Sequence, residues 1–114
     1  MLYDGAIRFL TLGRDKMAEK RLEEKNRALL KGQRIITELL STLDHNVGGE
    51  VASNLHRVYA YMLQRVVEAN LSDDPAPINE VIDLLRDLRT TWEEIELTKA
   101  VPAEAGSGGI RLAS

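Results

Sequence analysis

The sequence predicts an all-α protein, an antiparallel up-down-up-down four-helix bundle followed by a flexible C-terminal tail. Apolar residues recur at steps of three and four along nearly the whole chain, and no segment alternates apolar and polar residues as a strand would. Turn-forming residues interrupt this pattern at two places, and the short connections make consecutive helices antiparallel. We expect one domain, with the bundle over residues 1–100 and the tail over residues 101–114.

The first two predicted helices lie within residues 1–44. One side of the first helix carries the apolar residues Leu2, Ala6, Phe9, Leu10 and Met17. The second helix has an apolar residue at every seventh position, at Leu22, Leu29, Ile36 and Leu43. Neither Gly nor Pro occurs between residues 19 and 23, so local signals also allow one continuous helix. The break near Lys20 and Arg21 is therefore an inference without a turn signal of its own.

The third and fourth helices are bounded by clearer signals. The segment 44–49 contains Asn46 and two glycines, which favour the end of a helix. In the segment 72–77 an aspartate can accept from first-turn N–H groups, and Pro75 suits a first helical position. The stripe of the third helix is Val51, Leu55, Val58, Tyr59, Met62, Val66 and Ala69. That of the fourth is Ile78, Val81, Leu85, Leu88, Trp92 and Ile95.

From these stripes we predict which residues hold the fold together. The predicted core residues are Leu29, Ile36, Leu43, Leu55, Met62, Val66, Leu85, Leu88 and Trp92. Replacing one of them by Ala should remove burial and leave a cavity.

Composition excludes several classes of protein. The chain has no cysteine, so it forms no disulfide or zinc-thiolate site, and no apolar run approaches the roughly 18 residues of a membrane span. Its first residues lack a secretory signal, which predicts a cytoplasmic location. Residues 8–34 carry a net charge of +5 within a chain of net charge −3. Acids interrupt that basic stretch and no aromatic residue lies between Arg14 and Arg34, so nucleic-acid binding is disfavoured.

No reactive constellation indicates an enzyme, a cofactor or a metal. The two histidines, His45 and His56, have no partner at ligand spacing. Glycine-rich phosphate loops, nucleophile elbows and zinc-protease motifs are absent. We therefore predict a protein without catalytic residues.

Several apolar residues lie off the predicted seams, and two interpretations of them stay open. They either widen one core, as a third apolar position per heptad commonly does, or leave grooves that receive a helix of another chain. These residues are Leu30, Ile35, Leu63, Val67, Leu71, Ile82 and Leu84.

An ordered set of motifs covers residues 2 to about 97. The set comprises Leu2–Leu10, Asn26, Ile36, Leu39, Leu40, Leu43–Asp44, Gly48–Ala52, Asn54–Leu55, Tyr59, Tyr61–Met62, Arg65, Glu68–Leu71, Asp74, Ile78, Glu80–Val81, Leu84–Leu85, Leu88–Arg89 and Trp92. In this order they resemble the flagellar secretion chaperone family, FliS.

The resemblance implies a cytosolic helical bundle that acts without ATP. Members of the family hold the C-terminal segment of flagellin, prevent polymerisation before export and assist delivery to the flagellar export apparatus. It therefore favours apolar grooves, and the seven off-seam residues become the predicted flagellin contacts. Tyr3 and Tyr61 are expected to add ring area with their hydroxyls at the surface. The alternative function is a homo-oligomeric self-association module without a flagellin guest.

The sequence differs from the family's pattern at its start. Members normally carry an N-terminal arm with tyrosines before the Leu-Tyr-Asp-Gly motif, and this chain begins at that motif. Either a longer chain has been truncated or its start misassigned, or the short form is natural. Loss of the arm would expose part of the seam, which predicts a homo-dimer or an oligomer that exchanges its first helix.

Overall fold

Four helices and no strand make up the part of the chain that the computed structural model describes, residues 2–46 and 49–100. They are α1 (Leu2–Ala18), α2 (Leu22–Asn46), α3 (Gly49–Ser72) and α4 (Pro75–Ala100). The predicted all-α fold is confirmed. The predicted tail, 101–114, lies outside the described residues.

The helices form a closed ring in which each one packs against two neighbours. α1 and α3 each lie between α2 and α4, and within the described residues the backbones of the diagonal pairs do not approach each other closely. The Arg89 guanidinium binds Asp4 at 2.5 Å, and Arg14 donates to Asn79 at 2.8 Å. The first bond joins the start of α1 to the C-terminal half of α4, and the second joins the C-terminal half of α1 to the start of α4. The two helices therefore run antiparallel.

The core lies along the axis of this ring. Of the predicted core, Leu29, Ile36, Leu43, Met62, Val66 and Leu85 are buried, while Leu55, Leu88 and Trp92 are partly buried against the same cluster. The predicted stripes were wrong at Leu22 and Val51, which are more than half exposed. Both lie in the first turn of a helix at an end of the bundle. The side chain of Ile95, at the end of the fourth stripe, lies outside the part of the structure that is described.

Two glycines let α1 and α2 approach closely. A Cβ atom at Gly13 would lie 2.4 Å from a methyl group of Leu29, and one at Gly32 would lie 2.8 Å from a methyl group of Leu10. Both leucines are completely buried. Each helix therefore inserts a leucine where the other has no side chain, and the contact is reciprocal.

The break between α1 and α2 is a Schellman motif without glycine. The N–H of Arg21 donates to the carbonyl of Lys16 at 3.0 Å, and the N–H of Lys20 donates to that of Met17 at 3.1 Å. Lys20 occupies the left-handed position, with φ of 60°. The inferred break near Lys20 and Arg21 is confirmed, and its sequence signal is missing because lysine stands where glycine is usual.

The break between α3 and α4 follows the prediction. Asp73 adopts a left-handed φ of 53°, and the N–H of Asp74 donates to the carbonyl of Ala69 at 3.2 Å. The Asp74 carboxylate accepts from the N–H of Ala76 at 3.0 Å, and Pro75 begins the helix.

Lys25 is a buried charged residue of α2, only 3% exposed. Its ammonium donates to the carbonyl oxygen of Asn70 at 3.3 Å and also to the Asp73 carboxylate. A cation at the C-terminal end of α3 complements the helix dipole. Lys25 thus ties the start of α2 to the end of α3, and these two helices also run antiparallel.

Candidate functional site

A shallow depression between α2 and α3 exposes apolar surface. It has a volume of about 430 Å³ and is lined by Leu30, Gln33, Arg34, Thr37 and Leu63. Leu30 is 45% exposed although it lies in the middle of a helix. The depression therefore contains two of the residues that the sequence predicted to contact a guest.

A row on α3 extends this surface outward. Leu63, Val67 and Leu71 follow one another at steps of four residues, and each step rotates about 40° around the helix. Leu63 is partly buried against the core, Val67 is 45% exposed and Leu71 is 82% exposed. Exposure to solvent thus rises along the row, and its last side chain, Leu71, is large, apolar and almost fully exposed.

The remaining predicted contacts do not share this depression. Ile35 is partly buried on the side of α2 that faces α1, where its terminal methyl lies 3.2 Å from the position of a Cβ at Gly5. Leu84 is partly buried against the core. Ile82 is only 1% exposed, so its prediction as an accessible contact was wrong. It lies on the same side of α4 as Asn79 and Arg89, where α1 covers it.

Tyr3 is also buried, and the prediction that its hydroxyl lies at the surface was wrong. The hydroxyl is hydrogen-bonded to that of Tyr59 in the core between α1 and α3. Burial, together with the Tyr3 hydroxyl, raises the pKa of Tyr59 far above its ordinary value. Each hydroxyl satisfies the hydrogen-bonding capacity of the other away from water.

Tyr61 is exposed, with its ring on the side of α3 that faces α4. Its hydroxyl donates to Glu80 at 2.8 Å, and this bond raises the pKa of Tyr61. Arg65 donates to the same carboxylate at 2.7 Å and to Glu68 at 2.6 Å. Donation from Arg65 and Tyr61 lowers the pKa of Glu80. Tyr61 therefore belongs to a polar network on the flank of α3 opposite the depression.

Sequence reasoning missed a second depression, between α1 and α2. It has a volume of about 310 Å³ and is lined by Phe9, Leu12, Lys16, Glu24, Arg27, Ala28 and Lys31. Leu12 is 42% exposed. The signal was present, because Leu12 falls outside the apolar stripe of the first helix.

The described residues contain neither a candidate metal site nor a membrane-spanning helix. No group of three or more His, Asp or Glu side chains in this part of the chain could hold a metal ion. None of its helices is both long enough and apolar enough to cross a bilayer.

The fold and the site define a class, the small four-helix bundles with shallow, partly apolar depressions between neighbouring helices. The model of the family described as flagellar protein FliS matches residues 1–99. The flagellar secretion chaperone FliS of Bacillus subtilis is 35% identical over 114 aligned residues, which cover 96% of this chain and 80% of that protein. For its counterpart in Vibrio cholerae the identity is 33%, with coverage of 93% and 79%. For that of Salmonella typhimurium the identity is 38%, with coverage of 83% and 71%.

The chain belongs to the FliS family of flagellar secretion chaperones. The family is non-enzymatic and cytoplasmic, and its members bind flagellin for export. The predicted family and location are confirmed, and so is the predicted function as a chaperone that binds flagellin for export.

Proposed function

We propose that the depression between α2 and α3, with the exposed row on α3, binds the C-terminal segment of flagellin. The observation that carries the proposal is the graded exposure of Leu63, Val67 and Leu71 beside Leu30. An apolar side chain that stays exposed to water adds little to the stability of the fold. An apolar row that continues from a depression is therefore suited to docking a helix of another chain. Ile35 and Leu84, partly buried at the neighbouring helix interfaces, extend the contact around the bundle.

This mode of binding explains how a chaperone without catalysis can act. A flagellin segment held in the depression has its apolar residues covered and cannot make the contacts that assemble a filament. Binding competes with polymerisation by mass action and requires no ATP. The same complex keeps the subunit unassembled for delivery to the export apparatus.

The test is calorimetric titration of the chain with the C-terminal segment of flagellin at two salt concentrations. We expect saturable one-to-one binding, a negative heat-capacity change and little salt dependence, since apolar burial drives it. Val67→Glu places a charge where the guest would desolvate it, so its affinity should fall about tenfold or more.

The matched control is Thr90→Glu, which adds the same charge on the exposed outer face of α4. It should bind the segment like the unmodified chain. Both variants should unfold at the same urea concentration as the parent, because both positions are exposed. If Val67→Glu lost stability together with binding, the residue would be part of the core and the proposed groove would be wrong.

A second copy of the chain is the competing occupant of the same surface. Sedimentation across a hundredfold dilution, with and without the flagellin segment, separates the two. Under our proposal the segment forms the complex and dissolves any dimer or helix-exchanged oligomer. An oligomer that Val67→Glu disrupts, together with unchanged affinity for the segment, would instead assign the surface to self-association.

A further inference from the structure

The depression between α1 and α2 combines an apolar floor with a cationic rim. Phe9, Leu12 and Ala28 supply the apolar atoms, and Lys16, Arg27 and Lys31 stand around them. This surface lies where α2 faces α1, whereas the depression that contains Leu30 lies where α2 faces α3, and the two share no lining residue. It is therefore separate from the proposed flagellin groove.

Two of the three rim cations, Arg27 and Lys31, are not neutralised within the described part of the molecule, whereas the third, Lys16, pairs with Glu19 at 3.4 Å and with Glu24. The acid of the depression, Glu24, is already shared by Lys16 at 3.5 Å and Arg21 at 3.0 Å. In the described part of the chain, no carboxylate lies within ion-pair distance of Arg27 or Lys31, which are four residues apart on one helix face. Like charges at this spacing repel each other in an isolated helix. An anionic ligand would remove that repulsion.

The surroundings of Phe9 indicate which class of anionic ligand this depression would bind. The Arg8 guanidinium lies 5.1 Å from the centre of its ring and the Lys31 ammonium 5.4 Å. Cations thus already occupy the surroundings of the ring, which disfavours the stacking that binds single-stranded nucleic acid. What stays available is the edge of Phe9 together with the exposed side chain of Leu12.

We propose that the face formed by α1 and α2 binds an acidic amphipathic helix of a second protein. Its apolar side chains would cover Leu12 and the edge of Phe9, and carboxylates one turn apart would pair with Arg27 and Lys31. The charge complementarity identifies this occupant, since the net charge of residues 8–34 is +5. This site is additional to the proposed flagellin groove and does not depend on it.

The probe is a fluorescein-labelled amphipathic peptide of leucine and glutamate, with leucines at positions i, i+3, i+4 and i+7. We expect saturable binding that weakens with salt, and no binding of the peptide in which lysine replaces glutamate. Arg27→Glu should weaken binding of the acidic peptide about tenfold or more, and Leu12→Ser should weaken it severalfold.

The matched control is Arg57→Glu, an equal charge change at an exposed position of α3. It should leave the affinity within about twofold of the parent, and so should Val67→Glu, which tests the flagellin groove alone. Circular dichroism should give the same unfolding midpoint for Arg27→Glu as for the parent. Absence of binding, an equal loss in Arg57→Glu, or displacement of the peptide by the flagellin segment would overturn the proposal. Tighter binding of single-stranded DNA that Arg27→Glu abolishes would do so as well.

Discussion

Replacing Gly13 with Ala is expected to destabilise the bundle, although the same change in an open helix is stabilising. Alanine is favoured over glycine in a helix by about 1 kcal/mol. The new Cβ, however, would lie 2.4 Å from one carbon of Leu29 and 2.7 Å from a second, against about 3.5–4.0 Å for ordinary contact. Because Leu29 is fully buried, it has no free space to move into. Overpacking at the upper end of its usual range, about 2–3 kcal/mol, then leaves a net loss of about 1–2 kcal/mol.

Two other glycines on the same helix pair make the prediction a graded series. The corresponding distance is 2.8 Å at Gly32 and 3.2 Å at Gly5, where the neighbour is the terminal methyl of Ile35. Gly5→Ala should therefore match the parent or gain up to about 1 kcal/mol, and Gly32→Ala should lie between the two. Urea unfolding followed by circular dichroism measures all three, with equal m-values as the control. Equal stability of Gly13→Ala and Gly5→Ala would refute the close-packing argument.

Three further predictions concern other parts of the bundle. Lys20→Gly should raise the free energy of unfolding by about 0.5–1 kcal/mol, because glycine adopts the left-handed backbone conformation of this position without the steric cost that lysine has there. An unchanged urea midpoint would contradict this. Leu85→Ala should lower the free energy of unfolding by about 2–5 kcal/mol through lost burial and a cavity, measured in the same assay. The lowered pKa of Glu80 in the folded state means that its bonds to Arg65 and Tyr61 stabilise the protein above pH 4.5 and are lost as the pH falls below it. Thermal unfolding from pH 7 to 3 should thus show a shallower decline for Glu80→Gln, and parallel curves would argue against that role.

The helix boundaries show what local sequence does and does not encode. The start of α4 was predictable, because Asp74 and Pro75 act through their own side chains within one turn. The end of α1 was not, since Lys20 adopts a conformation for which lysine has no preference. The geometry there is imposed by the packing of α1 on α2, which forces the chain to reverse within three residues.

The sequence predicted which side of each helix faces the core, but not how many residues at the edge of that side are buried. The spacing of Ile78, Val81 and Leu85 identifies the inner face of α4, and all three are buried. Whether Ile82, one step to the side, is covered depends on how closely α1 approaches, which a single helix does not specify. Tyr3 is a similar case, because its burial requires the hydroxyl of Tyr59 from a helix far away in the sequence.

The candidate site was predictable in part for the same reason. The off-seam positions of Leu30, Leu63 and Val67 follow from helical spacing alone, and the structure brings the first two together in one depression. The depression around Leu12 needed the structure, because its rim combines cations from two helices.

The burial of Lys25 has a consequence for chemical footprinting. A succinimidyl ester is attacked by an accessible lysine amine that has released its proton, whereas the Lys25 nitrogen is covered and donates hydrogen bonds to Asp73 and Asn70. In the folded chain this lysine should resist acylation while the exposed Lys20 and Lys31 react. The rate at which Lys25 is labelled, measured by mass spectrometry, would therefore report how often the bundle opens at the end where α2 begins and α3 ends. The measurement can also be made in unpurified mixtures.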